Sequence, residues 1–251
     1  MPTQQTLWIA RHSNRLDFVH PEWFDTAPRR YDPPLSADGE VQARQLADRL
    51  CSEPIRQIIA SPFRRCVQTA HAVAEVLKLP VQLEWGIGEW LNADWMLAMP
   101  ETAPIAELQA EFPWVDPDYR SITPPRYPET EPECLARSGR TARAIADRLA
   151  VDHLASAASC DILFVGHGAT VHGMIWGLQE TREPITAPLC CLTRIDREFS
   201  PDCTQDLNFK QTPATFSPSP AQGITLSSSA RLILNCDTSH LSEPIETFRL
   251  H

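Results

Sequence analysis

The chain has 251 residues, 43% of them hydrophobic, and a formal net charge of -10. That length accommodates one domain, or one domain carrying a large insertion, and the acidic balance argues against a general binder of nucleic acid or anionic membranes. No stretch approaches the roughly 20 apolar residues of a membrane span, and no basic segment followed by an apolar core opens the chain, so a cytosolic protein is expected. The eight cysteines show no Cys-x-x-Cys spacing and several sit in apolar runs, so they read as reduced, buried small hydrophobes.

A first strand is predicted over about residues 6–10, where Leu7, Trp8, Ile9 and Ala10 run into Arg11 and His12. Short apolar runs with polar flanks suit strands of a sheet covered on both faces. A long proline-containing loop leads to Tyr31-Asp32-Pro33-Pro34-Leu35, and a helix begins at Ser36 with Val41, Ala43, Leu46, Ala47 and Leu50 at helical spacing. Ile58-Ile59-Ala60 reads as a second strand, with Ser61 as the next helix's N-cap and Pro62 at its first position. That helix continues over 66–77, with Val73, Ala74 and Leu77 on one face. The βαβα start predicts an α/β fold with a mostly parallel central sheet flanked by helices.

From about 81 to 131 periodicity gives way to Trp85, Trp90 and Trp95 and a crowd of prolines, with one short helix near 105–112. This proline-rich insertion reads as a stiffened lid over the sheet edge or as a long surface loop. A helix over about 132–149 leads to Ile162-Leu163-Phe164-Val165, a strand that breaks off at Gly166-His167-Gly168. A helix over 169–178 follows, then a strand over 189–196 that takes up Cys190 and Cys191. An irregular excursion over about 199–229 and a last strand over 230–236 complete a single domain, 1–251.

In open α/β sheets ligands bind beyond the carboxyl ends of the strands, where His12 and His167 would project. Arg64 and Arg65 follow the second strand, where the positive end of a helix dipole costs an uncompensated arginine roughly 0.3–1 kcal/mol. An anion offsets that cost. Arg11, Arg65 and the amides at the helix starts after Ser61 and Gly166 all favour a dianion, so phosphate is the natural guest. A neutral, oriented histidine attacks phosphorus, arginines hold the equatorial oxygens, and a carboxyl protonates the departing alkoxide. Glu89, in Gly86-Ile87-Gly88-Glu89-Trp90, is the first candidate for that acid, because flanking tryptophans and glycine would desolvate it and raise its pKa. Glu84, Glu101 and Asp94 stay open as alternatives. Arg29 and Arg30 would hold the rest of an anionic substrate, or form a solvated loop pair. His71, His172 and His240 read as packing or tail-anchoring residues, and Trp90 and Trp95 as packing. No clustered His/Asp/Glu set has ligand spacing, so no metal and no cofactor is predicted.

Five ordered segments carry a resemblance: Ala10-Arg11-His12-Ser13-Asn14-Arg15-Leu16-Asp17, Asp32-Pro33-Pro34-Leu35-Ser36, Ala60-Ser61-Pro62-Phe63-Arg64-Arg65-Cys66-Val67-Gln68-Thr69-Ala70, Gly86-Ile87-Gly88-Glu89-Trp90 and Val165-Gly166-His167-Gly168. Together, over roughly 6–196, they resemble the histidine phosphatase (phosphoglycerate-mutase-like) superfamily, and most of all the phosphatase domain of the suppressor-of-T-cell-receptor-signalling proteins. The resemblance implies a phosphoglycerate-mutase-like fold and no metal. It implies His12 as the phosphorylated nucleophile, Arg11, Arg65 and His167 as the phosphoryl cradle, Arg15 as a further contact, and Glu89 as the acid that later activates water. Ser13 departs from the family's usual glycine. A serine forced to φ > 0 is strained by of order 1 kcal/mol, and otherwise its hydroxyl would donate to the phosphate.

The reading that follows is a phosphomonoesterase of the histidine acid phosphatase type, hydrolysing a small phosphorylated metabolite or an aryl or tyrosyl phosphate through a phosphohistidine. The alternatives are a phosphoglycerate-type phosphomutase, and a phospho-ligand binding or regulatory module of low activity. The expected partner is a small phosphorylated substrate, with neither nucleic acid nor membrane; a homo-oligomer stays open, with no feature indicating one.

Overall fold

The computed structural model describes residues 3–156, 160–179, 182–201 and 226–243. The apolar runs form the strands of one six-stranded sheet in the order β3-β2-β4-β1-β5-β6. β1 (Thr3–Arg11), β2 (Gln57–Ala60), β3 (Val81–Leu83) and β4 (Ile162–Gly166) are mutually parallel, while β5 (Leu192–Pro201) and β6 (Leu226–Asp237) add an antiparallel edge. β4 lies between β1 and β2, with Arg11 opposite Gly166 and Ala60 opposite Val165. Residues 12, 61 and 167 therefore leave the sheet side by side.

Alternation along the strands divides the core into two faces. Trp8, Ala10, Ile58, Ala60, Leu163 and Val165 pack under α3 (Ala37–Leu50) and α4 (Arg64–Leu77), through Leu46, Leu50, Val67, Ala70 and Val73. Leu7, Ile9, Ile59, Ile162 and Phe164 pack on the other face against α6 (Glu131–Ser156) and α7 (Gly168–Leu178), through Ala142, Ile145, Ala146, Val171, Met174 and Ile175. Burial on both faces is why these strands read as continuous apolar runs rather than alternating ones. The short helices α1 (Leu16–Val19) and α2 (Trp23–Thr26) lie in the loop before α3, and α5 (Ile105–Glu111) lies in the proline-rich segment.

Several expectations shift. Ser36 does cap α3, its side chain accepting from Gly39 N at 3.3 Å, but Val41 of the expected apolar stripe is 43% exposed. Ser61 is not a helix cap: α4 starts at Arg64 with Phe63 at its N-cap, and the Ser61 hydroxyl is engaged elsewhere. The expected insertion begins with a sheet strand, β3, because Val81 and Leu83 are apolar enough to be buried beside β2. The helix expected over 132–149 runs longer, as α6. Leu189 and Cys190 form a turn and Cys191 precedes the strand, so β5 begins only at Leu192. Cys190 takes φ of 54°, which an extended strand forbids. Of the irregular excursion expected over 199–229, residues 199–201 and 226–229 belong to β5 and β6, and 202–225 lie outside the described residues.

The first turn of α3 is pressed against the loop that follows β1. A Cβ on Gly39 would collide with the Asn14 carbonyl oxygen, which itself accepts from Ser36 N at 3.1 Å. Asn14 N donates to Gln42 at 2.9 Å and its side chain donates to Asp38 at 2.7 Å. Gly39→Ala is expected to lower stability by about 1–3 kcal/mol through overpacking, read as a lower urea midpoint, and to lower activity with it. An unchanged midpoint contradicts this packing.

Candidate active site

Parallel pairing delivers three side chains to one crevice beyond the carboxyl edge of the sheet. His12 follows β1 and its amide donates to Gly166 O at 2.9 Å; Ser61 follows β2 and its amide donates to Val165 O at 3.0 Å. His167 follows β4 at the N-cap of α7, where its amide donates to Thr170 Oγ1 at 2.9 Å. The imidazole centroids of His12 and His167 are 5.3 Å apart.

His12 is buried, and its Nδ1 lies 2.8 Å from Ser13 O. A carbonyl only accepts, so hydrogen bonding assigns the proton to Nδ1 and the lone pair to Nε2. Burial holds the His12 pKa well below 6.5, and the charges of Arg65, His167 and Arg11 push it the same way. The ring is neutral at neutral pH. Burial likewise pulls His167 down to about 4, against the opposing pull of Glu89. Its Nδ1 sits 3.1 Å from Glu89 Oε2 and its Nε2 sits 2.7 Å from Ser61 Oγ. With Glu89 ionised, Nδ1–H donates to the carboxylate and the Ser61 hydroxyl donates to Nε2.

Glu89 departs from the expected raised pKa. Burial does push it up, but the charge and hydrogen bond of His167, then Arg65 and His12, outweigh burial and hold it well below 4.5. Arg65 Nη2 donates to Glu89 Oε2 at 2.9 Å. Glu89 is therefore an ionised carboxylate in the resting site, and the flanking aromatics do not decide its state. The rival Glu84 is fully buried and accepts from Gly86 N, Tyr119 Oη, Ser121 Oγ, Ile122 N and Thr123 N. It ties the proline-rich segment to the end of β3. Glu101 and Asp94 are both exposed.

The cations have distinct settings. Arg65, in the first turn of α4, is 1% exposed, donates from Nη1 to Tyr31 O at 3.3 Å, and leaves Nε without a partner among the described residues. Arg11 donates from Nη1 to Ala187 O at 2.6 Å, packs against Gly168, and also leaves a buried Nε without a partner. Arg15 pairs with Asp17 through Nε, at 2.8 Å, and through Nη2, so most of its fork is engaged. His12, Glu89 and His167 offer ligand atoms within 4.8 Å of one another, a separation a metal ion would span. The Arg65 guanidinium, 3.3 Å from His167 Nδ1 and bonded to Glu89, places a fixed positive charge there, which suits an anion and repels a cation.

Ser13 and the outlying arginines differ from expectation. Ser13 keeps a negative φ, so the strain of a left-handed serine is absent, and its hydroxyl donates to Cys190 Sγ at 3.3 Å. Its amide donates to Thr69 Oγ1 at 3.1 Å. Arg29 is bonded to Glu107 of α5 at 2.6 and 2.8 Å, and Arg30 is exposed, with its carbonyl accepting from Trp23 Nε1. Among the described residues neither bonds to His12, Arg65, Glu89 or His167.

The residues that sequence reasoning missed are supports. Ser61 carried a serine-proline signal that also fits a helix cap, and only the β2–β4 pairing shows its hydroxyl on His167. Arg137 and Glu129 had no local signal.

Residues 7–200 match the family model described as "Histidine phosphatase superfamily (branch 1)". The transcription factor tau 55 kDa subunit of Saccharomyces cerevisiae is 38% identical over 140 residues, covering 53% of this chain and 32% of that protein. The ubiquitin-associated and SH3 domain-containing protein A of Homo sapiens is 38% identical over 99 residues, covering 37% of this chain and 15% of that one. The chain thus spans a third or less of these two relatives. A probable phosphoglycerate mutase, GpmB, of Yersinia enterocolitica is 31% identical over 175 residues, 68% of this chain and 76% of that protein. Among solved structures, the ecdysone phosphate phosphatase from Bombix mori superposes with a TM-score of 0.62 at 21% identity, covering 84% of this chain and 98% of that one, which establishes likeness of fold. With its ordered segments folded onto one sheet edge and its family match spanning β1 to β5, the chain belongs to branch 1 of the histidine phosphatase superfamily.

Proposed function

We propose that this protein is a phosphomonoesterase that works through a phosphohistidine on His12. The observation that carries the reading is a neutral imidazole, lone pair on Nε2, beside two guanidinium groups whose buried Nε–H groups have no partner among the described residues. Buried unsatisfied donors cost about 1–3 kcal/mol each, and phosphoryl oxygens would satisfy them.

In the proposed reaction His12 Nε2 attacks phosphorus and the ester P–O bond breaks. The departing oxygen takes a proton from the Glu89 carboxyl and leaves as an alcohol. Water then attacks the phosphohistidine, gives its proton to the Glu89 carboxylate, and the N–P bond breaks to release phosphate and neutral His12. Arg11 and Arg65 hold the equatorial oxygens, His167 joins them through the Nδ1–H that protonation of Glu89 releases, and Arg15 adds positive charge beside its Asp17 partner. Because Glu89 rests ionised, the first proton must enter with the substrate, either on a monoanionic ester or from solvent as the phosphate charge raises Glu89.

The substrate is proposed to be a small phosphorylated molecule, including aryl esters, acted on in the cytoplasm. Phe63, whose ring lies 5.3 Å from that of His167, packs in an apolar cluster with Leu91, Met96, Tyr31 and Trp85. A phosphomutase is the second reading, favoured by the likeness to the Yersinia protein. It requires a further cationic subsite for the second anionic group of its substrate, and the ion pair of Arg29 with Glu107 counts against Arg29 in that role. The regulatory reading rested on a distorted nucleophile loop, and the negative φ of Ser13 removes its motive.

Phosphate release across a panel of aryl phosphates, sugar phosphates and phosphoglycerates, run beside an isomerisation assay, tests the reading. Release is expected to dominate isomerisation, and His12→Ala is expected to lower release by at least about 10³-fold, the scale of losing a nucleophile. Isomerisation without release, or full hydrolysis by His12→Ala, overturns it. kcat/KM is also expected to fall about tenfold per pH unit above roughly pH 6, the second ionisation of a phosphomonoester, because the needed proton is then lost. Towards acid it is expected to hold until His167 charges near pH 4. A flat profile from pH 6 to 8 contradicts this proton inventory.

A further inference from the structure

The loop that carries Glu89 has little regular structure of its own: after the single 3-10 turn Trp85–Ile87, residues 88–91 belong to no helix or strand. A side chain from the neighbouring helix α6, which shares a core cluster with Ile87 of this loop, holds it. Arg137, on α6, is 6% exposed. It donates from Nη1 to Trp85 O at 2.9 Å and Gly86 O at 3.0 Å, and from Nη2 to Gly88 O at 3.2 Å and Glu89 O at 3.1 Å. The same guanidinium grips the buried carboxylate of Glu129 through Nε and Nη2. Glu129 in turn accepts from Leu91 N at 3.2 Å, donates its own amide to Leu91 O at 3.0 Å, and takes Trp90 Nε1 on its carbonyl at 3.0 Å.

We infer that the buried Arg137–Glu129 pair is the positioning device of the general acid, fixing the backbone on both sides of Glu89 so that its carboxylate meets Arg65 and His167. The inference rests on the proposed acid role of Glu89 and deepens it. The geometry calls for a guanidinium. Its planar fork spreads five N–H donors over three nitrogens and so reaches four carbonyls and a carboxylate, with the two Nη2 hydrogens shared among three oxygens, whereas a lysine ammonium has three donors at one point. Among the described residues neither side chain bonds to Arg11, Arg65, His12 or His167, so the pair acts on the site through the loop that carries Glu89.

A positioning role for the acid predicts a dependence on the leaving group that loss of fold does not. A poor alkoxide leaving group needs the Glu89 proton, and 2,4-dinitrophenolate does not. Arg137→Lys is expected to lower kcat/KM for glycerol phosphate by at least about tenfold, while kcat/KM for 2,4-dinitrophenyl phosphate changes less than about threefold. Glu89→Gln is expected to show the same slope more steeply. Glu129→Gln, nearly isosteric, is expected to move in the same direction and serves if Arg137→Lys does not fold. Protection of each variant against thermal unfolding by inorganic phosphate reads whether the cradle is intact. A uniform loss over both substrates, or no loss, in Arg137→Lys or Glu129→Gln beside a steep slope in Glu89→Gln overturns the clamp alone. A flat slope in Glu89→Gln overturns the acid role and the inference together.

Discussion

The contact between the Glu89 carboxylate and the Arg65 guanidinium, 2.9 Å long and shared with His167 Nδ1 at 3.1 Å, sets the electrostatic state of everything around it. The Arg65 and Arg11 guanidinium groups converge on two buried neutral imidazoles, and without a negative charge the repulsion between the arginines would be costly at low dielectric. Glu89 supplies that charge in the resting protein. The same surroundings keep both histidines neutral, since burial and neighbouring arginines disfavour a further proton. A neutral His12 with a free Nε2 is thus a consequence of the cradle, rather than a separate property of the residue.

The sheet makes that convergence possible. β4 separates β1 from β2, so the residues following three parallel strands become neighbours although 49 and 106 positions part Ser61 from His12 and from His167 in sequence. α4 and α7 then begin at the same edge, Arg65 in the first turn of one and His167 capping the other. An incoming phosphate would meet Glu89 already in the cradle. Substrate charge and acid protonation are thereby linked: the dianion that the arginines attract is also what would raise the carboxyl to the protonated form it needs as an acid.

Much of this was legible in the chain. Leu7 to Ala10 and Ile162 to Val165 announced two strands buried on both faces, and the histidines at their ends followed from the rule that ligands bind at carboxyl edges. What sequence could not reveal was the state and support of the site. The aromatic neighbours of Glu89 suggested desolvation, yet its charge partners Arg65 and His167 come from distant segments and reverse the sign of the shift. Ser61-Pro62 carries a local signal for a helix cap, and the cross-strand contact with His167 overrides it. Cys190 and Cys191 are apolar because they are buried next to the His12 loop, not because they are extended; Cys190 N donates to His12 O at 3.1 Å. Arg137 lies on a helix whose stripe gives no hint that one arginine turns inward to the loop carrying Glu89.

The central claim is that His12 becomes covalently phosphorylated, and rapid quench into base followed by peptide mapping tests it most directly. During turnover of an aryl phosphate, the account predicts a phosphoryl group on His12 that survives base and is lost in acid. A protein that is turning over yet carries no covalent phosphate, or carries it on another residue, would contradict the account.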